Sequence, residues 1–110
     1  MITLPTTAGT GAEMDSASMY TDTTAKIKLC VAHADCTVTA IVDPLLTLSL
    51  PANLTAWTGM DALTHAIEAF SVDSFHPMCD GIALQSLLMI DKWLPIAYAD
   101  GPTWRRARRC

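Results

Sequence analysis

Asp61 and His65 are the residues whose types and spacing could do chemistry. Four positions apart on a helix, a carboxylate and an imidazole stack on one face a turn apart, close enough to grip one ion between oxygen and nitrogen. The surrounding stretch, Gly59-Met60-Asp61-Ala62-Leu63-Thr64-His65-Ala66-Ile67-Glu68-Ala69-Phe70, has the pattern of such a helix. Met60, Leu63, Ile67 and Phe70 recur at three- and four-residue steps, an apolar face expected to bury against a core. The same acid has a competing use. Thr58-x-x-Asp61 matches the capping box of a helix start, and one carboxylate cannot both cap and ligate well. Spacing alone leaves the two readings open.

The elements that must position this pair can be read outward from it. Pro51 suits a first helical turn because its missing N–H is not needed there, and Ser49 can cap the free amides, so a helix is predicted over about 51–70. Residues 71–77 form a polar loop, in which His76 precedes a proline and reads as a loop residue rather than a ligand. A second helix is predicted from Met78 to Leu94, apolar around most of its circumference and ended by Pro95, with Ile96 to Ala99 able to add one separate turn before Gly101. Upstream, Met1 to Leu4 reads as the end of a buried strand. Ser18 to Thr21, Ile27 to Val31 and Thr39 to Val42 read as short strands joined by turns. Between the first two, Thr6-Thr7-Ala8-Gly9-Thr10-Gly11 is a run of small residues. Its glycines permit close backbone approach and its hydroxyls can donate to a ligand's oxygens, although it is neither a Walker loop nor GxGxxG. Lys28 alternates with Ile27 and Leu29 and should point to solvent, and His33 reads as a surface residue of a turn.

The chain has 110 residues and is 51% hydrophobic, enough for one small core. No apolar run approaches the roughly 18 residues of a membrane span, and the start lacks a charged-then-apolar signal, so a cytoplasmic location without a membrane partner is expected. Cys30, Cys36, Cys79 and Cys110 show no CxxC spacing, which argues against a zinc ribbon or a thioredoxin-type site. Most of them have apolar neighbours, and free cysteine in such company is usually buried. The net charge of −4 hides a break: all eleven acidic residues lie before residue 101, while Arg105, Arg106, Arg108 and Arg109 crowd the last ten. An acidic body argues against nucleic acid as a partner.

Two long motifs carry a family likeness. Thr55-Ala56-Trp57-Thr58-Gly59-Met60-Asp61-Ala62-Leu63-Thr64-His65-Ala66-Ile67-Glu68-Ala69 resembles the metal-binding helix of the iron-containing (group III) alcohol dehydrogenases. Leu4-Pro5-Thr6-Thr7-Ala8-Gly9-Thr10-Gly11-Ala12-Glu13 resembles their nicotinamide loop, with Ala12 where the family commonly has serine. The likeness continues through Ile41-Val42-Asp43-Pro44, Leu48-Ser49-Leu50-Pro51 and Trp93-Leu94-Pro95 to about Gly101. It implies an α/β fragment: residues 1–50 end a dinucleotide-binding α/β domain with short strands, and 51–101 are the first helices of an all-helical metal-binding domain. By the same resemblance Thr6, Thr7, Thr10 and Lys28 bind NAD(P). Asp61 and His65 are the first two ligands of Fe(II), or of Zn(II), whose other two histidines lie beyond residue 110. The implied function is hydride transfer between a small alcohol or aldehyde and nicotinamide in a parent that is a homo-oligomer, with the isolated chain inactive. The alternatives are a related reductase, such as maleylacetate or lactaldehyde reductase, and a non-catalytic remnant or small oligomerising interaction protein.

Residues 102–110 depart from the family and are expected to be aberrant. Members often continue Asp-Leu-Glu-Ala-Arg, and codons for those residues read one base late spell Thr-Trp-Arg-Arg-Ala, as at 103–107 here. A frameshift close to Pro102 is therefore expected.

Overall fold

In a computed structural model the described residues are 2–32 and 39–100. His33, Cys36, Cys110 and the arginine-rich tail, with the readings placed on them, lie outside that range.

The described residues of Met1–Pro5 and Gly11–Val42 form one compact unit, and Thr6–Thr10 with the described residues of Asp43–Cys110 form a second. In the first unit, β1 (Ile2–Thr3) pairs in parallel with β4 (Thr39–Ala40), with Ile2 opposite Thr39 and Thr3 opposite Ala40. Ile41 N–H donates to the Thr3 carbonyl at 2.9 Å and extends that pairing by one bond. β2 (Ala17–Asp22) and β3 (Ile27–Ala32) form an antiparallel hairpin with Asp22 opposite Ile27. Its turn is built by the Asp22 carboxylate, which accepts from Thr24 N–H at 2.8 Å and Ala25 N–H at 3.0 Å, while Lys26 takes a left-handed φ of 54°. Every residue of β3 is exposed, Cys30 included, so the expected burial of that cysteine fails. Cys79 is exposed as well.

The second unit is a pair of helices. Asp43 caps a short 3-10 turn at Pro44–Thr47 by accepting from Leu45 N–H at 2.9 Å. α1 then runs over Ala52–Ser71 and α2 over Pro77–Asp100. Pro51, not Ser49, occupies the position before α1, and it offers no side-chain cap. Its carbonyl instead takes Thr55 N–H at 2.9 Å. The predicted stop at Pro95 also fails, because α2 continues to Asp100. A proline inside a helix removes one hydrogen bond and crowds the preceding turn. Here Trp93, Leu94, Ile96 and Ala97, on both sides of it, are half-buried, so packing holds the helix through the break.

The core of this unit is narrow. Gly59, Ala66 and Ala83 are the buried residues among those described. At Gly59 the helices are in close contact: a Cβ there would run into the Leu94 side chain, with Leu94 Cδ2 at 2.8 Å. The apolar stripe predicted to be buried is mostly not. Met60, Ile67 and Phe70 are 52%, 48% and 47% exposed, and Leu63 alone is half-buried. At about 100° per residue, Met60 and Ile67 lie on the far side of α1 from Asp61 and His65, while Gly59, Ala62 and Ala66 form the sector between. α2 covers that sector and leaves the far side bare.

Candidate metal and cofactor site

The helix start that a capping box requires is absent at Thr58. α1 begins six residues earlier, and the Thr58 hydroxyl donates to the Leu54 carbonyl at 2.9 Å, as mid-helix threonines do. Asp61 is therefore not a capping residue, and its carboxylate is free for other work. His65 Nε2 stands 3.9 Å from Asp61 Oδ1, and the two side chains are 56% and 46% exposed. That separation is too long for a hydrogen bond. Two donors sharing one tetrahedral ion at roughly 2.0–2.2 Å each would stand about 3.3–3.6 Å apart, a few tenths of an ångström less than this pair, so a small rotamer change would let both reach one ion. An oxygen and an imidazole nitrogen suit a borderline divalent ion. Among the described residues no third histidine, cysteine, aspartate or glutamate joins them, so the fit is that of half a coordination sphere.

The threonine–glycine loop, Thr6–Thr10, belongs to the same unit as this helix. Gly9 lies against Thr58: a Cβ on Gly9 would collide with the Thr58 carbonyl oxygen and approach the Thr58 carbonyl carbon and Cβ to 2.7 Å each. Thr58, Asp61 and His65 are spaced i, i+3, i+7 and share one face of α1. The loop is thus seated on the face that carries the pair, one turn before it. Thr6 and Thr10 are exposed and Thr7 half-buried. Gly11, the next residue, takes φ 68°, which only a glycine adopts freely, and its carbonyl accepts from Met14 N–H at 2.9 Å to turn the chain. Lys28 belongs to the other unit, on β3 of the hairpin, exposed and opposite Thr21.

His76 is not a plain loop residue. Its Nδ1 accepts from Cys79 N–H at 3.3 Å, and its carbonyl accepts from Asp80 N–H at 3.0 Å, so it caps α2. Histidine is an uncommon cap and the sequence carries no signal for it. Gly9 reads in the sequence as a residue that permits close backbone approach, without a sign of what approaches it, and Gly59 as a small residue only. A glycine seven positions before a buried alanine on one helix face is the sort of pattern that marks a close crossing.

Residues 55–109 match the family model described as Fe-containing alcohol dehydrogenase family, C-terminal. The chain belongs to that family. Among its relatives, the NAD-dependent methanol dehydrogenase of Bacillus methanolicus is 45% identical over 102 residues, which are 92% of this chain and 27% of that protein. The 1,3-propanediol dehydrogenase of Citrobacter freundii is 41% identical over 102 residues, 92% of this chain and 26% of its own length. A solved structure of sulfoacetaldehyde reductase from Bifidobacterium kashiwanohense, in complex with NAD+, superposes with a TM-score of 0.91 at 39% identity and covers 98% of this chain and 29% of that one. The chain thus spans between a quarter and a third of the length of these relatives of the iron-containing family, and its short strands and two helices are an α/β fragment of their fold.

Proposed function

We propose that this chain is the middle segment of a nicotinamide- and metal-dependent alcohol dehydrogenase, spanning the end of its dinucleotide-binding domain and the start of its helical domain. The observation that carries the reading is the free Asp61–His65 pair, 3.9 Å apart on the α1 face against which the threonine–glycine loop is seated. In the proposed enzyme Asp61 and His65 supply two of the ligands of a divalent ion, iron by the family's name or zinc by donor chemistry. A bound ion there supplies Lewis acidity toward the oxygen of a small alcohol or aldehyde. The Thr6, Thr7 and Thr10 hydroxyls donate to oxygens of NAD(P), and Lys28 offers its ammonium to the same cofactor. NAD(P), when bound, would supply the hydride acceptor or donor for the substrate carbon. That its relatives include a protein named for NAD-dependent methanol oxidation and one solved with NAD+ supports the cofactor and the substrate class.

Two ligands hold an ion far less tightly than four, so the 110-residue chain by itself should bind metal weakly and turn nothing over. Titration with Zn(II) should move the ring resonances of His65, and Asp61→Ala should abolish the response. Ring signals of His65 that stay fixed at millimolar Zn(II) would remove the metal reading. Alcohol oxidation by the isolated chain with NAD(P) and Fe(II) or Zn(II) would show the site to be complete without residues from outside it.

A second reading, a small self-associating protein, is favoured by the bare apolar side of α1 and by the exposed Ile82, Leu84 and Leu88 of α2. No helix of the described residues is long and apolar enough to cross a membrane. Sedimentation of the purified chain tests it: a discrete, reversible oligomer supports self-association, and a monomer or unspecific aggregate supports the segment of a larger helical domain.

A further inference from the structure

From the geometry around the Thr58–Gly59 turn we infer that Gly9 is a positioning residue: its missing side chain sets how close the threonine loop stands to the Asp61–His65 pair. The inference rests on the proposed metal site and adds to it a residue outside the proposed metal ligands and the proposed cofactor-binding threonines.

Three observations converge on one turn of α1. Thr58 meets Gly9 of the loop through its carbonyl oxygen, carbonyl carbon and Cβ. Gly59, about 100° further round the helix, meets the Leu94 side chain of α2. The turn is therefore contacted from two adjacent directions, by the loop at Thr58 and by Leu94 at Gly59. The third observation is direction. Thr58, Asp61 and His65 lie on one face, and Asp61 follows Thr58 by three residues, about 4.5 Å along the axis. A loop pressed on Thr58 stands beside the carboxylate at a spacing fixed by backbone contact.

The contact is the kind that tolerates no side chain. Thr58 opposes Gly9 with backbone, which cannot swing aside as the end of a long side chain can, so a methyl at Gly9 must displace the loop itself. The Thr6 and Thr10 hydroxyls would move with it. The helix, its partner α2 and the Asp61–His65 pair would not.

Mn(II) alone, added to the 15N-labelled chain, tests this through paramagnetic broadening, which falls steeply with distance from the ion. In the unsubstituted chain the amides of Gly9 and Thr10 should broaden over the same Mn(II) range as those of Thr58 and His65, and His65→Ala should cancel all of it. Gly9→Ala should weaken the broadening of the loop amides relative to that of Thr58 and His65, which should be unchanged, with the helical circular dichroism unchanged. A loop that broadens equally in Gly9→Ala overturns the inference. So does an unsubstituted chain in which Thr58 broadens and the loop stays sharp, an arm that does not depend on the variant folding. If His65 itself does not broaden, the metal site fails first and takes the inference with it, a result distinct from either of the others.

Discussion

The hairpin β2–β3 and the helix pair α1–α2 are held together by different means. The hairpin has register without a core: six residue pairs face each other in order, yet Met19, Tyr20, Ile27, Leu29 and Val31 are all exposed. The helix pair has the converse. Its fully buried residues are small, and at one of them, Gly59, the Leu94 side chain of α2 comes close to the α1 backbone. A two-stranded hairpin alone is marginal in water, so the hairpin depends on its turn. The helix pair depends on its crossing, and the proposed site lies beside that crossing.

The contrast breaks most readily at the crossing. Gly59→Ala puts a methyl into the Leu94 side chain and should destabilise α1–α2 by about 1–3 kcal/mol, the usual cost of overpacking. Denaturant unfolding followed by helical circular dichroism measures it. Leu94→Ala should recover part of the loss, so the pair should be clearly non-additive. Additive costs would mean that Gly59 and Leu94 do not meet. The hairpin should respond to its turn and not to side-chain volume. Lys26 holds a left-handed φ of 54°. Replacing it by glycine relieves about 1–2 kcal/mol of left-handed strain against about 0.5–1 kcal/mol of added chain entropy, so Lys26→Gly should raise hairpin stability by about 0.5 kcal/mol. Cross-strand contacts between Tyr20 and Leu29 read out the population. A weaker hairpin in Lys26→Gly would show that Lys26 contributes something other than strain.

What was legible in the sequence follows the same division between local pattern and distant contact. The hairpin strands and both helices announced themselves by alternation, periodicity and turn residues, and the Asp61–His65 spacing placed the two groups on one face before any coordinates. The capping-box alternative could not be dismissed from spacing, because Thr58-x-x-Asp61 is the same pattern whether a helix begins there or six residues earlier. The apolar stripe misled for a related reason: periodicity shows that a face is apolar, not that anything covers it. The stop expected at Pro95 fails because the residues on both sides of it are half-buried, and packing of that kind, such as Leu94 against Gly59, joins residues far apart in sequence. The seat of Gly9 on Thr58 joins residues 49 positions apart, and no local pattern reports it.

The smallest expected effect is on the hairpin turn and depends on pH. The Asp22 carboxylate is held below its usual range by the hydrogen bonds it accepts from Ala25 N–H and Thr24 N–H, with a small opposing contribution from desolvation. A carboxyl whose folded value is depressed favours folding while it is ionised. Its contribution is present above the unfolded value and is lost as pH falls through the lower folded one. The turn should therefore loosen only in acid, below the ordinary aspartate range, where the Thr24 and Ala25 amides lose an ionised acceptor. Asn at this position keeps an acceptor oxygen and cannot titrate, so Asp22→Asn should hold the turn with no dependence on pH across that window. Amide shifts of Thr24 and Ala25 followed against the Asp22 carboxyl signal make the measurement. If those amides stay still while the carboxyl titrates, the turn is held by the strand pairing alone, and the hairpin is less dependent on its four-residue loop than its exposed faces imply.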